Sequence, residues 1–136
     1  MLKHSFETKV YYFDTDSYNI VWHGTYLKWF EVGRVECFNL LGEKLTALTE
    51  QDVLFPVVNV SVRYKAPARF DDLLEVKTSI NKYTRFSIQF HHEIINKETE
   101  KLLVTATTDV AATDRQGRLL RKMPDFLLNK LKATEK

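Results

Sequence analysis

The 136-residue sequence has a single cysteine, Cys37, so no disulfide can close within the chain. No stretch approaches the roughly 18 apolar residues of a helical membrane span. The opening MLKHSFETKV lacks the apolar run of a secretory leader, and the expected location is the cytosol. Charge of one sign is scarce as well. Twenty Lys and Arg against 18 Asp and Glu leave +2, too weak a balance to call for nucleic acid. G-x-S-x-G, G-x-G-x-x-G, G-x-x-x-x-G-K and C-x-x-C are all missing. Nucleophilic Ser–His or Cys–His catalysis therefore has no local signature.

What is present suits one soluble domain, residues 1–136, without linker or internal repeat. Hydrophobic residues make up 44% and charged residues 28%, which argues against disorder. Nine Phe, six Tyr and two Trp supply bulky core material. His4 to Phe13 alternates and reads as a strand. Asp14 to Gly24 is rich in turn-formers and reads as a loop. From Thr25 to Leu41, Tyr26, Trp29, Phe30, Gly33, Cys37 and Leu40 recur at helical spacing. Gly33 costs this helix about 1 kcal/mol relative to alanine, which close approach to a sheet explains. Cys37 on the apolar stripe reads as a buried, inert thiol.

After a polar stretch from Glu43 to Asp52, the pattern turns to period two. Val58, Val60, Val62 and Tyr64 share one face. Leu74 to Ile80, Phe86 to Ile94 and Leu102 to Ala112 repeat it, with turns expected at Asn81 to Thr84, Asn96 to Glu100 and Asp114 to Arg118. His91 and His92 are adjacent on one strand, point to opposite faces and cannot grip one metal. Pro124 opens a short helix carrying Phe126, Leu127, Leu128 and Leu131. The order predicts an α+β domain: a strand, a long helix, then meandering antiparallel strands in a curved sheet of five or six.

The remaining polar concentration is Asp14-Thr15-Asp16, seven residues before His23-Gly24 and the helix start. On composition alone it reads as a turn. Its position adds a second reading. Carboxylates beside a helix N-terminus lie next to free N–H donors and a positive dipole end. Such donors polarise a carbonyl while a carboxylate attacks or activates water, and thioester hydrolysis needs these two elements.

Tyr12-Phe13-Asp14-Thr15-Asp16, Ile20-Val21-Trp22-His23 and Tyr26-Leu27-Lys28-Trp29-Phe30-Glu31 with Arg34 resemble the hotdog-fold acyl-CoA thioesterases. The nearest group is the 4-hydroxybenzoyl-CoA thioesterase family with its Tol-Pal-associated members. Tyr64-Lys65-Ala66-Pro67-Ala68 and Phe70-Asp71-Asp72 resemble that family's second-strand segment. The resemblance implies a central helix wrapped by a curved sheet. It also implies an acyl-CoA substrate, no metal or redox cofactor, and a homodimer joined edge to edge and paired into a homotetramer. Asp16 falls on the catalytic carboxylate, as nucleophile or general base. The oxyanion donor falls on the backbone N–H of His23 or Gly24. The His23 side chain either contacts the thioester or caps the helix. Tyr26 falls in a supporting place at the helix start. Glu31 either fixes the active-site loop or pairs with Lys28 or Arg34.

This chain departs from the family at Ser17-Tyr18-Asn19, where small residues and a glycine are usual. Asn19 tolerates a positive φ, and Tyr18 narrows the acyl site or meets a partner subunit. A CoA substrate calls for a basic rim, for which Arg63, Lys65, Arg69, Lys82 and Arg85 are candidates. An ordinary solvated face explains them equally. Two alternatives stand beside acyl-CoA hydrolysis: an acyl-carrier-protein thioesterase, and a non-catalytic acyl-binding or partner-docking module.

Overall fold

A computed structural model describes residues 2–135. Five strands, β1 (Lys3–Lys9), β2 (Val57–Tyr64), β3 (Leu73–Tyr83), β4 (Ser87–Asn96) and β5 (Leu102–Ala111), form one sheet. Three helices accompany them: α1 (Thr25–Leu40), α2 (Leu45–Glu50) and α3 (Asp125–Ala133). All pairings are antiparallel, in the order β1-β3-β4-β5-β2. Only β3, β4 and β5 form the expected meander. β2 crosses to the far edge and pairs β5, with Val60 opposite Thr108 and Tyr64 opposite Val104.

Alternating residues of β3, β4 and β5 put Val76, Ile80, Phe90, Ile94 and Val104 on an inner face, all fully buried. α1 lies against this face with Trp29, Phe30 and Cys37 buried. Gly33 is where helix and sheet come closest. A Cβ there would collide with the Thr78 side chain, so the expected close approach is met and glycine is required. Two apolar clusters result. One lies under the first half of α1, around Tyr26, Trp29 and Phe30. The other lies under its second half and is closed by α2 and α3, with Leu48, Leu127 and Leu131 enclosed. Fully burying a leucine side chain contributes roughly 1.5–3 kcal/mol, so these short helices act chiefly as lids.

Three features differ from the sequence expectation. β1 stops at Lys9, and Tyr12–Asp14 coil into a 3₁₀ turn because the Asp14 carboxylate accepts the Tyr11 N–H at 3.0 Å. The stretch read as polar holds α2, whose Leu48 is fully buried. The β3–β4 turn falls at Thr84 to Phe86, where the Thr84 hydroxyl accepts the Ser87 N–H at 3.1 Å. The C-terminal helix opens at Pro124 as expected, with Leu127 and Leu131 facing inward one turn apart and Phe126 exposed. No helix among the described residues is long and apolar enough to cross a membrane.

Candidate active site

The two acids of the Asp-Thr-Asp turn have different surroundings. Asp14 is buried, and its carboxylate sits 3.4 Å from Lys28 Nζ as well as taking the Tyr11 N–H. Its carbonyl accepts the Trp22 N–H at 2.9 Å and the Thr25 hydroxyl at 3.2 Å. Asp14 therefore clasps the exit of β1 to the start of α1. Asp16 is half-buried, and one carboxylate oxygen accepts the Tyr18 N–H at 2.8 Å. The other meets no donor among the described residues. Asn19 closes this turn at φ 65, the positive value that its side chain tolerates.

Asp16 borders an open cleft of about 420 Å³ together with Tyr18, Ile20, Val21, His23, Tyr26, Tyr64, Lys65, Ala66 and Pro67. That volume falls within the usual range for small-molecule sites. A groove of similar size, about 430 Å³, runs over the outer sheet face past Lys77, His91 and Glu93. It lies away from the start of α1 and has no helix amides to offer, so the chemistry is sought in the cleft.

The start of α1 supplies the donors. Thr25 and Leu27 bond back to the carbonyls of Trp22 and Gly24. The N–H groups of His23 and Gly24 meet no carbonyl among the described residues, as expected of a helix start. Gly24 precedes the first helical residue, and a Cβ there would collide with the Trp22 ring. Behind these amides, Tyr26 is buried and its hydroxyl accepts the Ala68 N–H at 3.2 Å. Tyr64 packs on Tyr26 with ring centroids 5.5 Å apart and donates its hydroxyl to the His23 carbonyl at 3.1 Å. Burial raises both phenols above the ordinary tyrosine range, so both keep their protons.

Asp16, Tyr18, His23, Tyr26 and Lys65 thus come together around one cleft, with Asn19 and Gly24 shaping its edge. Arg63 and Lys65 do not share a surface. β2 ends at Tyr64, where the amides of Lys65 and Ala66 both turn onto the Leu103 carbonyl. Lys65 then faces the cleft, while Arg63 lies in an outer groove with Ser61, His91 and Thr107. Arg85 sits at the opposite end of the sheet, nine residues along β4 from the register of Tyr64, or roughly 30 Å. Glu31 forms no ion pair with Lys28, whose ammonium belongs to Asp14. It lines a separate depression with Arg34, Phe38 and Phe55. Cys37 is buried and its thiol is pushed up to about 12, first by burial, so it is inert. His92 is enclosed on the inner face and His91 lies on the outer one. Tyr64, read in the sequence as a member of a strand face and of the family's second-strand segment, carried no site role there, yet it lines the cleft.

Residues 12–131 match the thioesterase-like superfamily. The chain belongs to that superfamily. It is 34% identical over 124 residues to the acyl-CoA thioester hydrolase YbgC of Escherichia coli O6:H1, covering 91% of this chain and 92% of that one. It is 34% identical over 111 residues to the putative acyl-CoA thioesterase YneP of Bacillus subtilis, covering 82% of this chain and 80% of that one. Among solved structures, the DHNA-CoA thioesterase of Staphylococcus aureus superposes with a TM-score of 0.87 at 28% identity, covering 99% of this chain and 94% of that one. The α1-on-sheet arrangement of this thioesterase-like protein is the hotdog fold expected from the sequence.

Proposed function

We propose that this protein hydrolyses acyl-CoA, releasing a carboxylic acid and free CoA, with Asp16 as the reacting carboxylate. The observation that carries the reading is the Asp16 oxygen with no partner among the described residues, in a cleft that also borders the His23 amide at the start of α1, itself without a partner among them. The printed names of the Escherichia coli and Bacillus subtilis relatives agree with it. The thioester carbonyl would rest against the N–H of His23 or Gly24, where its developing negative charge meets fixed dipoles. Two routes follow. Asp16 attacks the carbonyl carbon, the C–S bond breaks, the CoA thiolate takes a proton, and water hydrolyses the mixed anhydride. Alternatively, Asp16 takes a proton from water as the water attacks, and that proton passes to the leaving thiolate. The His23 side chain, exposed at the cleft, positions the water or the thioester. Lys65 meets a phosphate of the CoA arm, and Tyr18 limits the acyl end.

The working unit is a homodimer, paired further into a tetramer. β2 supports this: it is one of the sheet's two outer strands, and Val57, Val58 and Val60 are exposed along it. An unprotected apolar edge of this kind favours pairing with a second copy.

A panel of acyl-CoAs and matched acyl-carrier-protein thioesters, read by free-thiol release, tests the reading. Release from CoA esters is the expected result. Release from carrier esters alone would replace CoA with the carrier as substrate. Absence of release across the panel would leave a binding module.

A further inference from the structure

The His23 carbonyl lies at an exposed place. Residue 23 borders the cleft, and the Thr25 and Leu27 amides go to Trp22 and Gly24, not to His23. Left alone, this oxygen would be an unpaired acceptor beside the position where a thioester oxygen becomes negative. Among the described residues its one partner is the Tyr64 hydroxyl, at 3.1 Å.

We propose that Tyr64 is a positioning residue: its hydroxyl pins the His23 carbonyl and so holds the helix-start amides in the orientation the oxyanion needs. This inference rests on the thioesterase reading above. Two physical effects support it. A peptide is planar, so fixing the His23 C=O also fixes the direction of the Gly24 N–H on the opposite side. A hydrogen bond to the carbonyl also polarises that peptide and makes its N–H a better donor. Donors aimed in advance act without reorganising during the reaction.

Tyr64 is itself held rigidly enough for this task. Its ring leans on buried Tyr26, whose hydroxyl is tied to the Ala68 amide. The chain just beyond Tyr64 is anchored by the Lys65 and Ala66 amides, 2.8 and 3.1 Å from the Leu103 carbonyl. A link therefore runs from the end of β2, through a phenol, to the first peptide of α1. Tyr64 touches no reacting atom in this account and acts only through residue 23.

The test is Tyr64→Phe, which keeps the ring and removes the donor. The expected result is a fall in kcat of about tenfold or more, smaller than loss of a direct oxyanion donor. KM, the affinity for a non-hydrolysable thioether analogue of acyl-CoA, and the melting temperature should stay near wild type. Replacing Tyr64 with 4-aminophenylalanine, which restores a donor, should recover part of the lost kcat. An unchanged kcat in folded Tyr64→Phe would overturn the proposal. So would a loss confined to KM or stability, or no recovery with the amino analogue. Failure of the thioesterase reading would look different, because the wild-type protein would then release no thiol.

Discussion

Beneath the middle of α1, His92 is fully enclosed, and its two ring nitrogens meet the hydroxyls of Thr78 and Thr108 at 2.9 Å each. At the start of the same helix, Asp16 keeps one oxygen without a partner among the described residues, in a cleft that it shares with His23. Phe30 stacks on the His92 ring with centroids 4.4 Å apart and seals the first site, whereas the second opens to a cleft. Polar groups that satisfy one another in a dry interior stabilise a structure and have nothing left for a ligand. Polar groups left unsatisfied at a wet edge are available to one. Changes under the helix should therefore alter stability with little effect on turnover per folded molecule, and changes in the cleft should do the reverse.

Gly33→Ala should give the largest stability effect. Its Cβ would displace the Thr78 hydroxyl from His92, at a cost of about 1–3 kcal/mol even after the gain in helix propensity. Chemical denaturation checks this, and unchanged stability would break the comparison at its buried end. His92 supplies the next test. Burial, with Arg34 and His91 nearby, lowers its pKa to about 3, so the folded protein keeps it neutral. The unfolded chain takes up a proton below its ordinary value of about 6.5. The His92 contribution is thus complete above pH 6.5 and is lost progressively as pH falls towards 3. His92→Gln should flatten the stability–pH curve in that window.

At the cleft, His23→Ala should lower kcat about tenfold while leaving the melting temperature in place. A loss of stability instead would return His23 to the role of a helix-cap residue. The smallest expected effect is that of Lys65→Ala, a rise in KM for acyl-CoA of about two- to fivefold that shrinks at high salt. A KM unmoved at low salt would remove Lys65 from the CoA site.

Much of the buried region was legible in the sequence, because period-two alternation and the α1 stripe are local patterns carried by many residues. Gly33 even announced the close approach. α2 escaped because its six residues offer only two large apolar side chains, Leu45 and Leu48, as signal. The end of β1 escaped because Val10 and Tyr12 continue the apolar set of Phe6 while the Asp14 carboxylate recruits the backbone into a turn. The site was legible only in part. Its position beside the helix start followed from order along the chain. Which acid is buried depends on Lys28 and the Tyr11 amide, which no spacing announces. The splitting of Arg63 from Lys65 depends on where β2 ends, and the Tyr64 link to His23 joins segments 41 residues apart.

The most direct measurement compares wild type with Asp16→Asn for thiol release from acyl-CoA and for acyl-CoA binding in the same preparation. The expected result is a loss of turnover of about 10²- to 10⁴-fold, with binding and melting temperature near wild type. Turnover close to wild type in the folded variant would contradict it.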